Sequence, residues 1–214
     1  MQNVDASDAR CEAVRRGRPR AFDREKALGA AMHLFWRKGY SATSISDLTA
    51  AMGIGSPSLY AAFGSKEALY AEALEHYGRM HEATAWGGFF AAETARTAVE
   101  AFLRDTAAGL IEAANGCMVT LSAVGAEGNE VLGALVASAR NATLTRLKER
   151  IEQAKAAGEI DLSVDTHGLA RFVQTVQNGM SLIARDGAGL DELTAVVDTA
   201  MLGWDAQLRE RPLL

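Results

Sequence analysis

The stretch from Ser44 to Lys66 limits what this chain can fold into more than any other feature of its sequence. It contains two short helical patterns joined by Met52-Gly53-Ile54-Gly55. A tight turn with a glycine at its centre joins the two helices of a helix-turn-helix, whose second helix enters the major groove of DNA. An arginine-rich segment, residues 15–20, lies just upstream. A basic arm beside two short helices indicates nucleic acid as a partner.

The charge of the chain is divided unevenly between its two parts. The net charge is −5 over 214 residues, which is unusual for a DNA-binding protein. Residues 1–66, however, carry ten Lys and Arg against six Asp and Glu, whereas residues 67–214 carry twelve against twenty-one. A basic reading head on an acidic body would give this distribution.

The composition predicts an all-α protein of the cytoplasm. Ala and Leu are abundant, Pro occurs only three times, and Val and Ile do not alternate with polar residues as in strands. Cys11 and Cys117 lack metal or disulfide spacing, which favours a reducing compartment. Because the first thirty residues are polar, we expect no secretory signal. Because no apolar run reaches the ~20 residues that span a bilayer, we expect no membrane partner.

Capping and stop signals predict about nine helices and no strand. Asp23, Ser44 with Asp47, Ser56 and Ser65 have the positions of N-caps for the first four helices. We expect a bend at 86–90, where two glycines interrupt the pattern. The predicted helices span residues 24–38, 45–52, 57–63, 66–84, 97–114, 118–126, 129–157, 166–185 and 191–209.

Several motifs carry a family resemblance. They are Phe35-Trp36-Arg37-Lys38-Gly39-Tyr40, Thr43-Ser44-Ile45, Gly53-Ile54, Leu59-Tyr60-x-x-Phe63 and Ser65-Lys66-Glu67-Ala68-Leu69. Together they make residues 18–77 resemble the DNA-binding region of the TetR (tetracycline-repressor-like) family of bacterial transcription regulators. The resemblance implies a repressor that binds a palindromic operator as a homodimer and is released by a small-molecule ligand.

The domain organisation follows from the helix pattern together with this resemblance. We expect a flexible basic arm at 1–20 and a three-helix helix-turn-helix domain at 21–66. A larger helical domain for ligand binding and dimerisation would occupy 67–214.

The expected DNA contacts lie on the arm, at the start of the second helix and on the third helix. Hydroxyl and apolar side chains of the third helix would face base edges, while Leu59 and Phe63 pack inward. Tyr60 and Lys66 resemble phosphate-contacting residues of the family. The full set is Arg16, Arg18, Arg20, Thr43, Ser44, Ser56, Pro57, Ser58, Tyr60, Ala61 and Lys66.

The arm permits two interpretations. Arg16-Gly17-Arg18-Pro19 matches the core of an AT-hook, an extended basic segment that binds a narrow A·T minor groove. The alternative is an unspecific electrostatic arm that attracts phosphates.

Dimerisation and ligand binding are expected in the second part of the chain. Two apolar stripes on the last two helices would form a four-helix bundle with a partner, unless they face their own core. The expected interface is Phe172, Val173, Val176, Met180, Ile183, Val196, Val197, Ala200, Met201 and Trp204. A cavity for a small apolar or amphipathic effector would be lined by Trp86, Phe89, Phe90, Phe102, Leu110, Cys117, Met118, Phe172, Gln177 and Met180.

Three other functions compete with this one: a helical enzyme, a ligand carrier and an architectural DNA-binding protein. Four histidines are scattered without metal spacing, and no nucleophile motif is present, so an enzyme, a metal site or a cofactor is not expected. A helical ligand carrier would share the fold without the DNA contacts. An architectural DNA-binding protein acting through the arm alone would leave the long helical body unexplained.

Overall fold

The computed structural model describes residues 22–113 and 115–208. These residues form eight α-helices and no strand. The helices are α1 (Arg24–Lys38), α2 (Ile45–Met52), α3 (Ser56–Phe63), α4 (Lys66–Ala91), α5 (Ala95–Ala113), α6 (Glu130–Ala156), α7 (Thr166–Arg185) and α8 (Leu190–Leu208).

Three of the first four helices, α1, α2 and α4, begin where their capping residues predict. Asp23 accepts hydrogen bonds from two backbone N–H groups at the start of α1. Ser44 and Asp47 form the reciprocal capping box of α2, and Ser65 caps α4. Each cap satisfies N–H groups that have no partner within the helix, so these short helices have defined starts.

The predicted bend at 86–90 is wrong, because α4 continues through it to Ala91. Gly88 lies where α4 crosses α5, and a Cβ built on it would be only 3.0 Å from the Cβ of Ala101. The glycine lets the two helices approach, while Trp86 and Phe89 are buried beside Phe102. This burial outweighs the intrinsic cost of glycine within a helix.

The predicted helix at 118–126 is also wrong, so the described residues contain eight helices rather than nine. Residues 115–129, here named the α5–α6 loop, form successive turns. The guanidinium of Arg140 donates hydrogen bonds to the carbonyl oxygens of Val119, Thr120 and Ser122. These carbonyls are thus satisfied without the hydrogen bonds of a helix.

The buried side chains form two clusters. One joins α1–α3 and the first half of α4 to residues of the α5–α6 loop and the start of α6, including Met118 and Leu132. The other joins the end of α4 to α5–α8 and contains Trp204, which is fully buried. The first cluster extends beyond the predicted boundary at residue 66, so the short helices pack directly on the larger part of the chain.

None of the eight helices in the described part of the chain has the length and apolar character of a bilayer-spanning segment.

Candidate nucleic-acid interface and internal cavity

A left-handed residue makes the turn between α2 and α3. Gly53 has φ 66° and ψ 31°, and no atom of the described part of the chain lies within 4 Å of a Cβ built on it. Its N–H and that of Ile54 both donate to the carbonyl oxygen of Thr49, which ends α2. Because L side chains rarely adopt this conformation, glycine sets the angle at which α3 leaves α2.

The two faces of α3 differ sharply. Leu59 and Phe63 are 0% and 3% exposed and pack into the first cluster, as predicted. The residues expected to contact DNA on this helix are all exposed: Ser56, Pro57, Ser58, Tyr60 and Ala61. The hydroxyl groups of these residues form no hydrogen bond with the part of the chain that the structure describes, so they are available to an external partner.

Two predictions about the edges of this surface need correction. Ser56 is not an N-cap, because Gly55 occupies that position and Ser56 is the first residue of α3. Thr43 is completely buried, and its hydroxyl donates to the carbonyl oxygen of Gly39 over 2.7 Å. Thr43 therefore orders the link between α1 and α2 and offers no surface to a phosphate.

Ser44 is exposed at the start of α2, but its side chain is already engaged. Its Oγ accepts a hydrogen bond from the backbone N–H of Asp47 over 3.0 Å. The carboxylate of Asp47 accepts from the backbone N–H of Ser44 and lies 2.9 Å from the ammonium of Lys38. These contacts lower the pKa of Asp47 to about 2, with the hydrogen bond from Lys38 as the largest cause.

Lys66 lies at the start of α4, beside the aromatic ring of Tyr40 and the carboxylate of Glu67. Its Nζ lies 4.2 Å from the ring centroid of Tyr40, and partial burial lowers the pKa of this ammonium. The hydroxyl of Tyr40 donates to Glu67 over 2.7 Å, and burial together with Glu67 raises the pKa of Tyr40 to about 12. Lys66 is thus held against a ring that stays neutral.

Arg24 fixes the far end of α3. It forms two hydrogen bonds with the carboxylate of Glu72 on α4, at 2.9 and 2.7 Å. It also donates to the carbonyl oxygen of Ala62, and its guanidinium lies 4.4 Å from the centroid of Phe63. This single side chain joins α1, α3 and α4, and so limits the movement of the exposed face of α3.

Arg16, Arg18 and Arg20 lie outside the described residues, as does Cys11. Neither α2 nor α3 contains Lys or Arg. Sequence-independent attraction to phosphates would therefore have to come from residues that flank these helices.

A cavity of about 290 Å³ lies between α4, α5, α6, α7 and the α5–α6 loop. Trp36, from the last turn of α1, also reaches it. Aromatic side chains and small residues form much of its wall, and polar side chains enter from α5, α6 and α7. It has the concave, largely apolar character of small-molecule sites.

Half of the residues predicted to bind a ligand line this cavity. They are Trp86, Phe102, Leu110, Cys117 and Gln177. The other five are absent from its wall: Phe89, Phe90, Met118, Phe172 and Met180. Phe89, Met118 and Met180 are buried in the protein core, whereas Phe90 and Phe172 are exposed on the surface.

Sequence reasoning missed several of the polar and aromatic residues in the wall. Trp36 was named only as part of the family motif at the end of the first helix, and Asp105, His81 and Arg140 were not singled out as cavity residues. A signal was available on α5, where Asp105 and Thr106 interrupt an otherwise apolar helical face. Burial lowers the pKa of His81, which favours the neutral imidazole in the cavity.

The α5–α6 loop connects this cavity to the first helices. The indole Nε1 of Trp36 donates to the carbonyl oxygen of Gly116 over 2.9 Å. At the other side of the loop, the hydroxyl of Ser41 donates to Glu127 over 2.7 Å. A change in the shape of the cavity wall therefore has direct contacts through which to reach α1 and the α1–α2 link.

Most of the residues predicted for a dimer interface face the core of their own chain. Six are buried: Val173, Met180, Val197, Ala200, Met201 and Trp204. Four are at least partly exposed: Phe172, Val176, Ile183 and Val196. Leu182 and Leu202, which were not predicted, are 52% and 71% exposed on the same two helices. Both α7 and α8 therefore carry the predicted apolar stripe, but most residues of each stripe pack into the core of their own chain.

Among the described residues, no group of three or more His, Cys, Asp or Glu side chains is arranged to hold a metal ion.

Known proteins of similar sequence and fold point in one direction. A family model described as "Bacterial regulatory proteins, tetR family" matches residues 27–73. The HTH-type transcriptional repressor ComR of Escherichia coli K12 is 36% identical over 205 residues, covering 91% of this chain and 94% of ComR.

Solved structures agree. A cysteine mutant of the TetR family regulator CifR, complexed with 26-bp double-stranded operator DNA, is 40% identical and superimposes with a TM-score of 0.83. The match covers 88% of this chain and all of that one. A putative TetR regulator from Rhodococcus sp. RHA1 is 38% identical, with a TM-score of 0.55 over 85% of this chain and 99% of its own. This chain therefore belongs to the TetR family of bacterial transcriptional regulators.

Proposed function

We propose that this protein represses transcription by binding a palindromic operator as a homodimer, and that a small molecule in the cavity releases it. Residues 21–66 would read the DNA, with the arm at 1–20 adding phosphate or minor-groove contacts. Residues 67–214 would carry the ligand site and the dimer contacts. CifR, a relative of this chain, is bound to operator DNA in its solved structure, which supports the first part of the proposal.

The observation that carries the proposal is the two-sided character of α3. Its apolar residues are buried against α1 and α4, and its hydroxyl-bearing residues are exposed without hydrogen-bond partners in the described ranges 22–113 and 115–208. A helix held rigidly with polar groups outward suits the major groove. Because no Arg, Asn or Gln lies on this face, we expect DNA shape and phosphate contacts to provide much of the specificity.

The proposal includes a homodimer, because one α3 helix alone would cover few base pairs. Two-fold symmetry would place two α3 helices about 34 Å apart, or at a multiple of that distance, on one side of the duplex. The exposed apolar residues of α7 and α8, Phe172, Leu182 and Leu202, offer a surface for the partner. The ring of Phe172 lies against Gly203 of α8, so these two helices present their exposed residues close together.

The cavity supports ligand control, because its wall includes residues of α1, α4 and the α5–α6 loop. A ligand that favours a different arrangement of α4 and this loop would change the positions of the two α3 helices. Only a ligand with different affinities for the two arrangements shifts their populations.

The test is selection of bound duplexes from a random DNA library by the full-length protein, followed by footprinting of the enriched sequence. We expect a short protected palindrome. Operator affinity is then measured by fluorescence anisotropy for two variants. Tyr60→Phe removes one exposed hydroxyl and keeps the ring. Glu152→Gln is the control, because Glu152 is an exposed residue of α6.

We expect Tyr60→Phe to weaken operator binding severalfold with no change in thermal stability, and Glu152→Gln to leave both unchanged. A selection that enriches no sequence, or protection without two-fold symmetry, would contradict the proposal.

A further inference from the structure

We propose that the cavity binds a small organic cation, an amine-bearing molecule with an aromatic or apolar body, and that Asp105 holds its positive charge. This proposal rests on the proposed ligand control and names the chemical class of the effector. Three observations support it: a carboxylate without a partner among the described residues, aromatic walls, and positive side chains that already contact groups of the protein itself.

The carboxylate of Asp105 is the first observation. It lies in the wall of the cavity, partly buried, and none of the described residues gives it a hydrogen bond or an ion pair. Its Oδ2 lies so close to Gly88 that a Cβ there would be 2.6 Å from it. Gly88 therefore makes the space in which this carboxylate lies beside α4. An ionised carboxylate only accepts hydrogen bonds, so both of its oxygens are available to an ammonium group in the cavity.

Aromatic side chains form two parts of the cavity wall. Trp86 and Phe102 are stacked with ring centroids 4.4 Å apart and line the same cavity as Asp105. Further along the cavity, Trp36 and Tyr77 meet edge to face at 4.9 Å. These rings bury the apolar body of an amphipathic ligand. Because the guanidinium of Arg146 already lies over Trp86, we assign the attraction of the ligand's cation to Tyr77 and Trp36.

The two arginines in the cavity wall already contact other groups of the protein. Arg146 is paired with the carboxylate of Glu82 at 2.9 Å, and its guanidinium lies 4.9 Å from the centroid of Trp86. Arg140 donates three hydrogen bonds to carbonyl oxygens of the α5–α6 loop and so holds the cavity wall in shape. An anionic ligand would have to compete with these contacts, whereas a cation finds Asp105 free of such partners.

The experiment uses three probes that share one body and differ in charge: phenylbutylamine, phenylbutanol and phenylbutanoate. Binding to the full-length protein at neutral pH is measured by isothermal titration calorimetry. We expect the amine to bind about 10- to 100-fold more tightly than the alcohol, since a hydrogen bond to a charged group contributes that much. We expect the carboxylate to bind more weakly than either.

The variant Asp105→Asn keeps the size of the side chain and removes its charge. We expect it to reduce binding of the amine about tenfold or more and to leave binding of the alcohol unchanged. Glu112→Gln is the matched control, because Glu112 is an exposed acid on the same helix and lies outside the cavity wall. This variant should retain the preference for the amine.

Three outcomes would overturn the proposal: tighter binding of phenylbutanoate than of the amine, an unchanged preference in Asp105→Asn, or no binding of any probe. The proposed function has a separate readout, which is operator binding by the ligand-free protein. Loss of that binding would contradict the repressor role, whereas the calorimetric result concerns the cavity alone.

Discussion

The indole N–H of Trp36 donates a hydrogen bond to the carbonyl oxygen of Gly116, and so joins the end of α1 to the loop that closes the cavity. Both residues are buried and both lie in the cavity wall. The contact crosses 80 positions of the sequence, and the carbonyl of Trp36 in turn lies 3.4 Å from the guanidinium of Arg185 on α7. The end of α1, which packs with α2 and α3 in the first cluster, is thus hydrogen-bonded directly to the part of the molecule that would sense a ligand.

Trp36→Phe should therefore reduce stability by about 2 kcal/mol, because it leaves the buried carbonyl of Gly116 without its donor. Trp204→Phe is the matched control, since Trp204 is fully buried but its Nε1 has no hydrogen-bond partner among the described residues. That substitution removes part of a ring and no hydrogen bond, so a smaller loss is expected. Urea denaturation measures both free energies of unfolding. Equal losses in the two variants would show that the hydrogen bond contributes nothing.

The short helices could be predicted from sequence because each is specified by local signals. Asp23, Ser44 and Ser65 cap the helices that they were expected to cap. The left-handed glycine after Met52 likewise gives a local stop that depends only on backbone conformation. Chemistry within four residues decided these boundaries, and such chemistry is visible in the sequence.

The predictions that were wrong concern features decided by contacts between residues far apart in the sequence. At Gly88 the close approach of α5 decides that the helix continues, and at 118–126 the distant guanidinium of Arg140 satisfies the carbonyls of the turns. The predicted cavity lining was mainly aromatic and apolar, with Gln177 as its polar member, so Asp105, a charged residue on an apolar face, was missed. Contacts between residues far apart in the chain settled these features, and periodicity alone does not reveal them.

Acid should weaken the contact that joins α1 to α2. The pKa of Asp47 is lowered to about 2 by the hydrogen bonds from Lys38 and Ser44, so its stabilising contribution is complete above the unfolded pKa near 4. It is lost as the pH falls through the folded value. Asp47→Asn should therefore lower the melting temperature at pH 7, and the difference from the original protein should shrink between pH 4 and pH 2.

Glu152→Gln is the comparison for this acid series, because Glu152 is exposed on α6 and forms no ion pair among the described residues. Its melting temperature should follow that of the original protein over the whole range. A constant gap between Asp47→Asn and the original protein down to pH 2 would argue against the ionised contact.

The turn between α2 and α3 should not tolerate a side chain. Gly53→Ala places a Cβ on a residue with φ 66°, which we expect to cost about 1 kcal/mol in stability and to weaken operator binding by changing the angle of α3. Gly87→Ala should have the opposite sign, a gain of about 0.5–1 kcal/mol, because Gly87 is exposed within α4 and its Cβ would meet nothing within 4 Å. Thermal unfolding and anisotropy with operator DNA measure both. A Gly53→Ala protein as stable as the original would remove the conformational argument.

The exposed leucines provide a matched test of the dimer surface. Leu202 on α8 is 71% exposed, and Leu162, in the loop before α7, is 76% exposed. Leu202→Glu places a charge in the proposed interface, where desolvation without a partner disfavours association, whereas Leu162→Glu makes the same change elsewhere. Light scattering should give the 22.7 kDa mass of one chain for Leu202→Glu and twice that mass for Leu162→Glu and the original protein. Because each half-site contact is weak alone, the monomeric variant should also lose operator affinity. If Leu202→Glu remains a dimer, the partner must bind a different face of the α5–α8 bundle.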